Sequence, residues 1–303
     1  NESHFLLPAL NRFKPESVLS KPEQYELVHL IEKFGRFDTW NTSTSQLHEI
    51  VRCLPDSINL SEIISLIYQH EANEKAPNII GEKTPEYVDC IHDIRKLFPK
   101  SMFIFIIRDA RDVSNSLQVR GWEGWTHYQR GIYWNSAVSI LLSLKNDNRS
   151  ILLRYEDLVL DQEKSMRKLS DFLGVKYSAN MLSFNENFSS QLTDVELKNN
   201  IHNSISDTPS VAHVSRWKKN GAKNEYFFLE QVCKKNLLLL GYELSNSKAE
   251  LERPGFIRSL QLQKYKLLVL VYQFYHDKVS KRFTQALKAS LIFEIIRGYV
   301  RSK

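Results

Sequence analysis

Apolar positions run unbroken from Phe103 to Ile107 and stop at Arg108. Five apolar residues ended by a charge read as a strand covered on both faces of a parallel sheet. Ligands in open α/β sheets bind beyond such strand ends. Asp109 and Asp112 then stand at the spacing of a helix N-cap and its reciprocal partner, which predicts a helix whose free N–H groups point at whatever Arg108 holds. On that helix Ser116 and Arg120 are four residues apart and share a face.

The same reading places elements along the rest of the chain. Gln24 to Phe34 and Leu60 to His70 have helical periodicity between polar turns. Asn78-Ile79-Ile80-Gly81 predicts a short strand, followed by a helix from about Glu86 to Leu97 that Phe98-Pro99 ends. Tyr128 to Leu144 is helical, Ser150 to Leu153 is the next strand, and Gln162 to Phe172 is an amphipathic helix closed by Leu173-Gly174. Strands alternating with helices imply a parallel sheet with right-handed crossovers, the α/β class. Lys176 to Ala212 is polar and without period, the pattern of a functional or mobile loop. Asn224 to Leu240 returns to a helix that Gly241 stops, and after Pro254 the chain is helical and basic, with Ile257, Leu260, Leu267, Leu268, Leu270, Val271 and Phe274 among Lys and Arg.

Charge changes this picture only at the end of the chain. The 303 residues carry a formal net charge of +6. From Leu251 to Lys303 there are 11 Lys and Arg against 3 Asp and Glu, so the first 250 residues hold 30 against 32 and are close to neutral. A nucleic-acid reading of the whole chain therefore has no footing. No apolar run approaches the roughly 18 residues of a membrane span. Cys53, Cys90 and Cys233 are isolated, which indicates neither a disulfide framework nor a zinc site and predicts buried thiols in a reducing, cytoplasmic setting. Neither a Walker loop nor a Gly-x-Gly-x-x-Gly fingerprint occurs.

A guanidinium, a hydroxyl and a second guanidinium converging at a strand end suit a phosphate or sulfate. With Arg108 and Ser116 eight positions apart, the segment resembles the 3′-phosphate-binding stretch of sulfotransferases that use 3′-phosphoadenosine 5′-phosphosulfate (PAPS). Further marks of that family follow in order: Glu82-Lys83-Thr84-Pro85, Leu97-Phe98-Pro99, Arg154-Tyr155-Glu156-Asp157-Leu158, Phe172-Leu173-Gly174, Ser215-Arg216-Trp217 and Leu240-Gly241-Tyr242. The protein-tyrosine and bacterial branches are the most similar. The resemblance implies a P-loop-NTPase-like parallel sheet flanked by helices over residues 1–245, with a basic helical extension over 246–303. Residues 5 to 75 resemble the family's variable helical insertion. The strand, Pro-Arg-Ser-Gly-Thr-Thr loop and helix that usually open such domains have no counterpart here, and the chain reads as starting just past its own phosphosulfate loop.

By the same resemblance, Lys83 stabilises the oxygens of the transferred and leaving groups and Glu2 is the acceptor's general base, with His4 as the alternative. Arg108 and Ser116 hold the 3′-phosphate, Arg120 contacts the nucleotide, Tyr155 contacts the adenine or lines its slot, and Ser215, Arg216 and Lys218 close over the phosphates. Glu156 and Asp157 are read as structural caps. The implied reaction is in-line transfer of a sulfuryl group from PAPS to a hydroxyl acceptor, with no metal, since Arg and Lys supply the positive field. Two other readings stay open: a catalytically inactive, sulfotransferase-like binding protein, and a nucleotide or sugar kinase. The basic extension is expected to meet an anionic membrane surface peripherally, or to pack on the domain or on a second subunit of a homodimer.

Overall fold

Several of the described helices start where a short hydroxyl side chain is followed three residues later by Glu or Gln. The backbone N–H groups of Ser20, Ser43, Thr126 and Ser247 donate to the side chains of Glu23, Gln46, Gln129 and Glu250 at 2.8, 2.8, 2.9 and 2.8 Å. Each carboxylate or amide thereby satisfies a donor that the helix leaves open. The computed structural model of the chain describes residues 3–35, 40–72, 79–119, 126–183, 211–220 and 225–274.

The elements are, in order, α1 (Leu6–Arg12), β1 (Val18–Ser20), α2 (Lys21–Phe34), α3 (Thr44–Cys53), β2 (Ser57–Asn59), α4 (Leu60–Glu71), a 3-10 turn (Pro85–Cys90), α5 (Ile91–Leu97) and β3 (Phe103–Ile107). There follow α6 (Ala110–Val119), α7 (His127–Ser143), β4 (Ser150–Arg154), α8 (Tyr155–Leu160) and α9 (Gln162–Leu173). After 3-10 turns at Ala179–Leu182 and Val211–His213 come α10 (Trp217–Asn220), α11 (Phe227–Leu239), α12 (Lys248–Glu252) and α13 (Phe256–Phe274). The chain divides into two compact units, one of Asn1–Phe103, Asp147–Ile151 and Met166–Thr208, the other of Ile104–Asn146, Leu152–Ser165 and Pro209–Lys303.

In the first unit, Leu60, Ile63, Ile64 and Ile67 recur at three- and four-residue spacing and are all fully buried. They join Leu27, Val28 and Ile31 of α2, Leu47 and Val51 of α3, and Phe5 and Ala9 around α1 in one core. Each Val, Leu, Ile or Phe side chain there contributes about 1.5–3 kcal/mol on burial. A short antiparallel ladder pairs Leu19 of β1 with Ile58 of β2. Arg95 of α5 lies over the Phe103 ring at 5.0 Å, donates to Ser150 Oγ at 3.1 Å and pairs with Asp147.

The second unit is built on the ends of β3 and β4, which pair in parallel. Ile107, Ala110, Trp134, Val138, Leu229, Cys233 and Leu237 form its core. Gly131 makes the close approach of α7 to α11 feasible, because a Cβ there would stand 3.3 Å from the Leu229 backbone. The stop of α11 is a Schellman turn: Tyr242 N donates to Leu237 O, Gly241 N donates to Leu238 O, and Gly241 takes φ +76°.

Three expectations change. Only one face of β3 is covered among the described residues: Phe105 and Ile107 are buried, whereas Ile104 and Ile106 are 41% and 55% exposed. Successive strand side chains point to opposite faces, and helices of the second unit cover only the face of Ile107. No strand forms at Ile79, Ile80 and Gly81, which are exposed and unpaired, and Asn78 lies outside the described residues. Cys53 is exposed, while Cys90 and Cys233 are buried as expected.

Candidate active site

In the second unit, β3 delivers Arg108 at its end and α6 starts two residues later. The Arg108 guanidinium lies over the Tyr155 ring at 4.7 Å, and its Nη2 donates to the His213 carbonyl at 2.7 Å. Trp134 Nε1 donates to the Arg108 carbonyl at 2.9 Å, which pins the backbone at the strand end. Nε of Arg108 is buried with no acceptor among the described residues. A buried guanidinium N–H without a partner costs free energy that an anion would recover.

The helix start differs from the predicted capping box. Asp109 does cap α6, its Oδ1 accepting from Arg111 N at 2.9 Å, but Asp112 does not return the bond. Asp112 Oδ1 accepts instead from Trp217 N at 2.8 Å, and its Oδ2 lies 3.7 Å from Arg108 Nη2 without a hydrogen bond. Burial holds the Asp112 carboxyl above its usual pKa, against the opposing pull of the Trp217 N–H and of Arg108.

Asp112 therefore anchors the segment that carries Ser215, Arg216 and Lys218. Ser215 adopts φ +54°, a left-handed conformation that costs a non-glycine residue free energy, and its carbonyl accepts from Lys218 N. Trp217 is buried face-on over the Arg111 guanidinium at 3.5 Å, so that the loop is clamped beside Arg108. Arg216 is exposed. The Lys218 ammonium pairs with Glu243 at 3.2 Å. Ser116 is half-buried on α6, and Arg120 lies outside the described residues.

Beneath this turn lie two buried acids whose roles a linear reading does not show. Arg111 donates to both oxygens of Asp109, at 2.9 and 2.7 Å, and to Glu230 Oε1 at 2.7 Å. Burial alone would lower the Arg111 pKa, but Asp109 and Glu230 more than offset it and raise the group above its ordinary value. Glu230 is completely buried and also accepts from the backbone and side chains of Ser245 and Asn246. Glu156, read as a structural cap, is buried and joins the Asp109 N–H to the Tyr242 hydroxyl. Asp157 is exposed, and its carbonyl accepts from Asp161 N.

In the first unit, Lys83 is exposed, between Glu82 and Thr84. Ser3 fastens the chain just before α1 to this segment. Its N–H donates to Thr84 Oγ1 at 3.1 Å and its hydroxyl donates to Glu82 Oε1 at 2.9 Å. That same hydroxyl lies 2.6 Å from the Tyr87 hydroxyl and 3.0 Å from that of Tyr68. Burial pushes the Tyr87 phenol up to about 12 and also raises Tyr68 well above its usual value. The residue before Ser3 is Glu2, which lies outside the described residues, and the residue after it, His4, takes φ +52° with Nδ1 3.7 Å from Glu86. Nothing in the sequence marks Ser3, because its partners are 65 to 84 positions away. Among the described residues, no group of three His, Cys, Asp or Glu is placed to hold a metal ion.

A profile of the sulfotransferase family matches residues 8–179, more than half of the chain and the stretch that holds Lys83, Arg108, Ser116 and Tyr155. The chain belongs to the sulfotransferase family. It is a transferase, and the kinase reading falls away. A Caenorhabditis briggsae protein described as a candidate protein-tyrosine sulfotransferase is 27% identical over 221 residues, covering 70% of this chain and 76% of that protein. The protein-tyrosine sulfotransferase of Drosophila melanogaster is 28% identical over 131 residues, 41% of this chain but only 26% of its own length. Among solved structures, the sulfotransferase domain of a Synechococcus olefin synthase superposes with a TM-score of 0.52 at 19% identity, covering 80% of this chain and 85% of the other. The sulfotransferase domain of the curacin biosynthetic pathway gives 0.50 at 17%, covering 80% and 88%. These two likenesses confirm the expected sulfotransferase fold.

Proposed function

We propose that this sulfotransferase takes its sulfuryl group from PAPS and passes it to a hydroxyl acceptor. The observation that carries the donor assignment is Arg108, whose buried Nε has no acceptor among the described residues and whose guanidinium is stacked on Tyr155 at the open end of β3. That arrangement fits a phosphate monoester lodged at the start of α6. Arg108 and Ser116 hold the 3′-phosphate, and Arg120 contacts the nucleotide. Tyr155 lines the nucleotide slot, and Ser215, Arg216 and Lys218 form the closing segment. Lys218 would leave Glu243 to reach a phosphate; surface pairs of this type are worth only about 0–1 kcal/mol.

Lys83 neutralises charge on the transferred and leaving oxygens, and Glu2 takes the acceptor proton. What supports this pairing is the hold of Ser3 on Glu82 and Thr84, since Ser3 adjoins Glu2 and its two partners flank Lys83. The protein-tyrosine sulfotransferases among the relatives favour a phenolic hydroxyl as acceptor. A carbohydrate sulfotransferase of Mus musculus, 26% identical over 35% of the chain, makes a sugar hydroxyl the second reading.

The test is calorimetric titration with adenosine 3′,5′-bisphosphate, together with turnover of PAPS on tyrosine peptides and on sugars. Arg108→Ala should weaken nucleotide binding by about a hundredfold, the scale of a lost charge-assisted pair. Lys83→Ala should keep binding and lose turnover. Unchanged affinity in Arg108→Ala refutes the donor site. Equal loss of both properties in Lys83→Ala refutes its separate role.

A further inference from the structure

The helix α13 has two apolar faces, and only one is packed among the described residues. On the inner face Leu262 is buried, and Tyr265 packs edge-on against Phe228 at 5.1 Å and stacks on Tyr128 at 5.6 Å. Arg258 lies over the Phe227 ring at 4.2 Å. These contacts fix the helix against α7 and α11. On the opposite side Phe256, Leu260, Leu267 and Val271 fall in one row, spaced by four and seven residues, with Ile257 and Leu270 beside them. They are 79%, 56%, 62%, 43%, 72% and 61% exposed respectively. Six large apolar side chains in one stripe exceed the scattered exposure normal for a protein surface.

We propose that this stripe is an interfacial anchor that lies in the plane of a membrane surface rich in anionic lipid. Charge selects that occupant. The helix sequence has Arg258, Lys264 and Lys266 and no acidic residue. Lys264 and Lys266 are exposed on either flank of the row, where long aliphatic stems cover apolar surface and the ammonium groups reach headgroup phosphates. From Leu251 to the end, Lys and Arg outnumber Asp and Glu by 11 to 3. A second copy of the helix laid on the stripe would bring lysines against lysines with no carboxylate of α13 to answer them. No described helix is long and apolar enough to cross a membrane, so α13 lies on the surface instead of spanning it.

The experiment uses the full chain with phosphatidylcholine vesicles, pure or made about one-third phosphatidylserine, in a co-sedimentation titration at several salt concentrations. The chain should partition onto the anionic vesicles and not onto pure phosphatidylcholine. Leu260→Gln with Leu267→Gln should weaken partitioning at least about tenfold, and Lys264→Gln with Lys266→Gln should weaken it and flatten its salt dependence. Both double variants alter exposed positions and should melt at the parent temperature. Absence of binding, equal binding to the two vesicle types, or unchanged binding in the leucine variant overturns the proposal. So does a dimer in sedimentation velocity that the leucine variant dissociates while vesicles bind neither protein.

Discussion

Glu156 Oε1 accepts the Asp109 N–H at 2.9 Å while Glu156 Oε2 accepts the Tyr242 hydroxyl at 2.8 Å. One buried carboxylate thus joins the turn after β3, the first residues of α8 and the residue just past the Schellman stop of α11. Asp109 follows Arg108 directly, so the direction in which the guanidinium leaves the strand depends on an acid 47 positions further on.

Removing that acid should show in both stability and ligand binding. Glu156→Ala leaves the Asp109 N–H and the Tyr242 hydroxyl without partners, and is expected to cost about 2–4 kcal/mol in urea unfolding and to weaken adenosine 3′,5′-bisphosphate binding. Tyr242→Phe removes one of the two bonds and should cost about half as much. Equal costs for the two variants would mean that the bond to Asp109 contributes nothing.

Arg111 is the counter-ion of two buried carboxylates and the platform for Trp217. Arg111→Met leaves Asp109 and Glu230 buried and unpaired, with an expected loss of about 3–5 kcal/mol. Arg111→Lys keeps the charge but not the fork that reaches both acids or the flat stack on Trp217, and should recover less than half of that loss. Full recovery with Lys would show that charge alone matters there. Chemical denaturation monitored at Trp217 and the other tryptophans measures both.

His127 sets part of the acid limb of stability. Its Nδ1 lies 2.8 Å from Ser114 Oγ and its Nε2 3.2 Å from Glu225, and burial, followed by the nearby Arg130, holds its pKa below the usual value despite Glu225. The unfolded chain therefore binds more protons than the folded one as pH falls through about 6.5, and folding stability must fall over that interval until the folded-state pKa is passed. Melting temperatures between pH 7.5 and 5 should decline less steeply for His127→Gln. A parallel decline in both proteins would assign the acid sensitivity elsewhere.

The three cysteines should separate by reactivity. Cys53 is exposed, whereas Cys90 and Cys233 are buried, with burial as the main cause that pushes the Cys90 thiol up to about 12 and raises Cys233 as well. Because the thiolate is the nucleophile, a thiol reagent at neutral pH should label Cys53 alone in the native protein and all three after unfolding. Native labelling of Cys233 would contradict its packing against Gly131, whose carbonyl accepts its S–H at 3.2 Å.

Locally encoded features were readable from the chain. The apolar run of β3, the arginine at its end, the helix after it and the glycine that stops α11 each follow from a few consecutive residues: unbroken apolar runs, charge and the need for positive φ act over short distances. The family followed from their order. The partners of those residues were less legible. Asp109 and Asp112 have capping-box spacing, yet Asp112 is drawn to the amide of Trp217, 105 positions away, because a buried backbone donor competes successfully for its carboxylate.

By itself, then, the sequence determined most of the elements, their order and the strand end that carries Arg108, since propensity and pattern are properties of neighbouring residues. Only the tertiary structure decided that Glu230 neutralises Arg111, that Ser3 binds the Lys83 segment, that one face of β3 is left exposed and that α13 carries a second apolar face. Each of those outcomes depends on which distant groups meet in a low-dielectric interior, where an unpaired charge or an unanswered N–H costs more than local preference can supply.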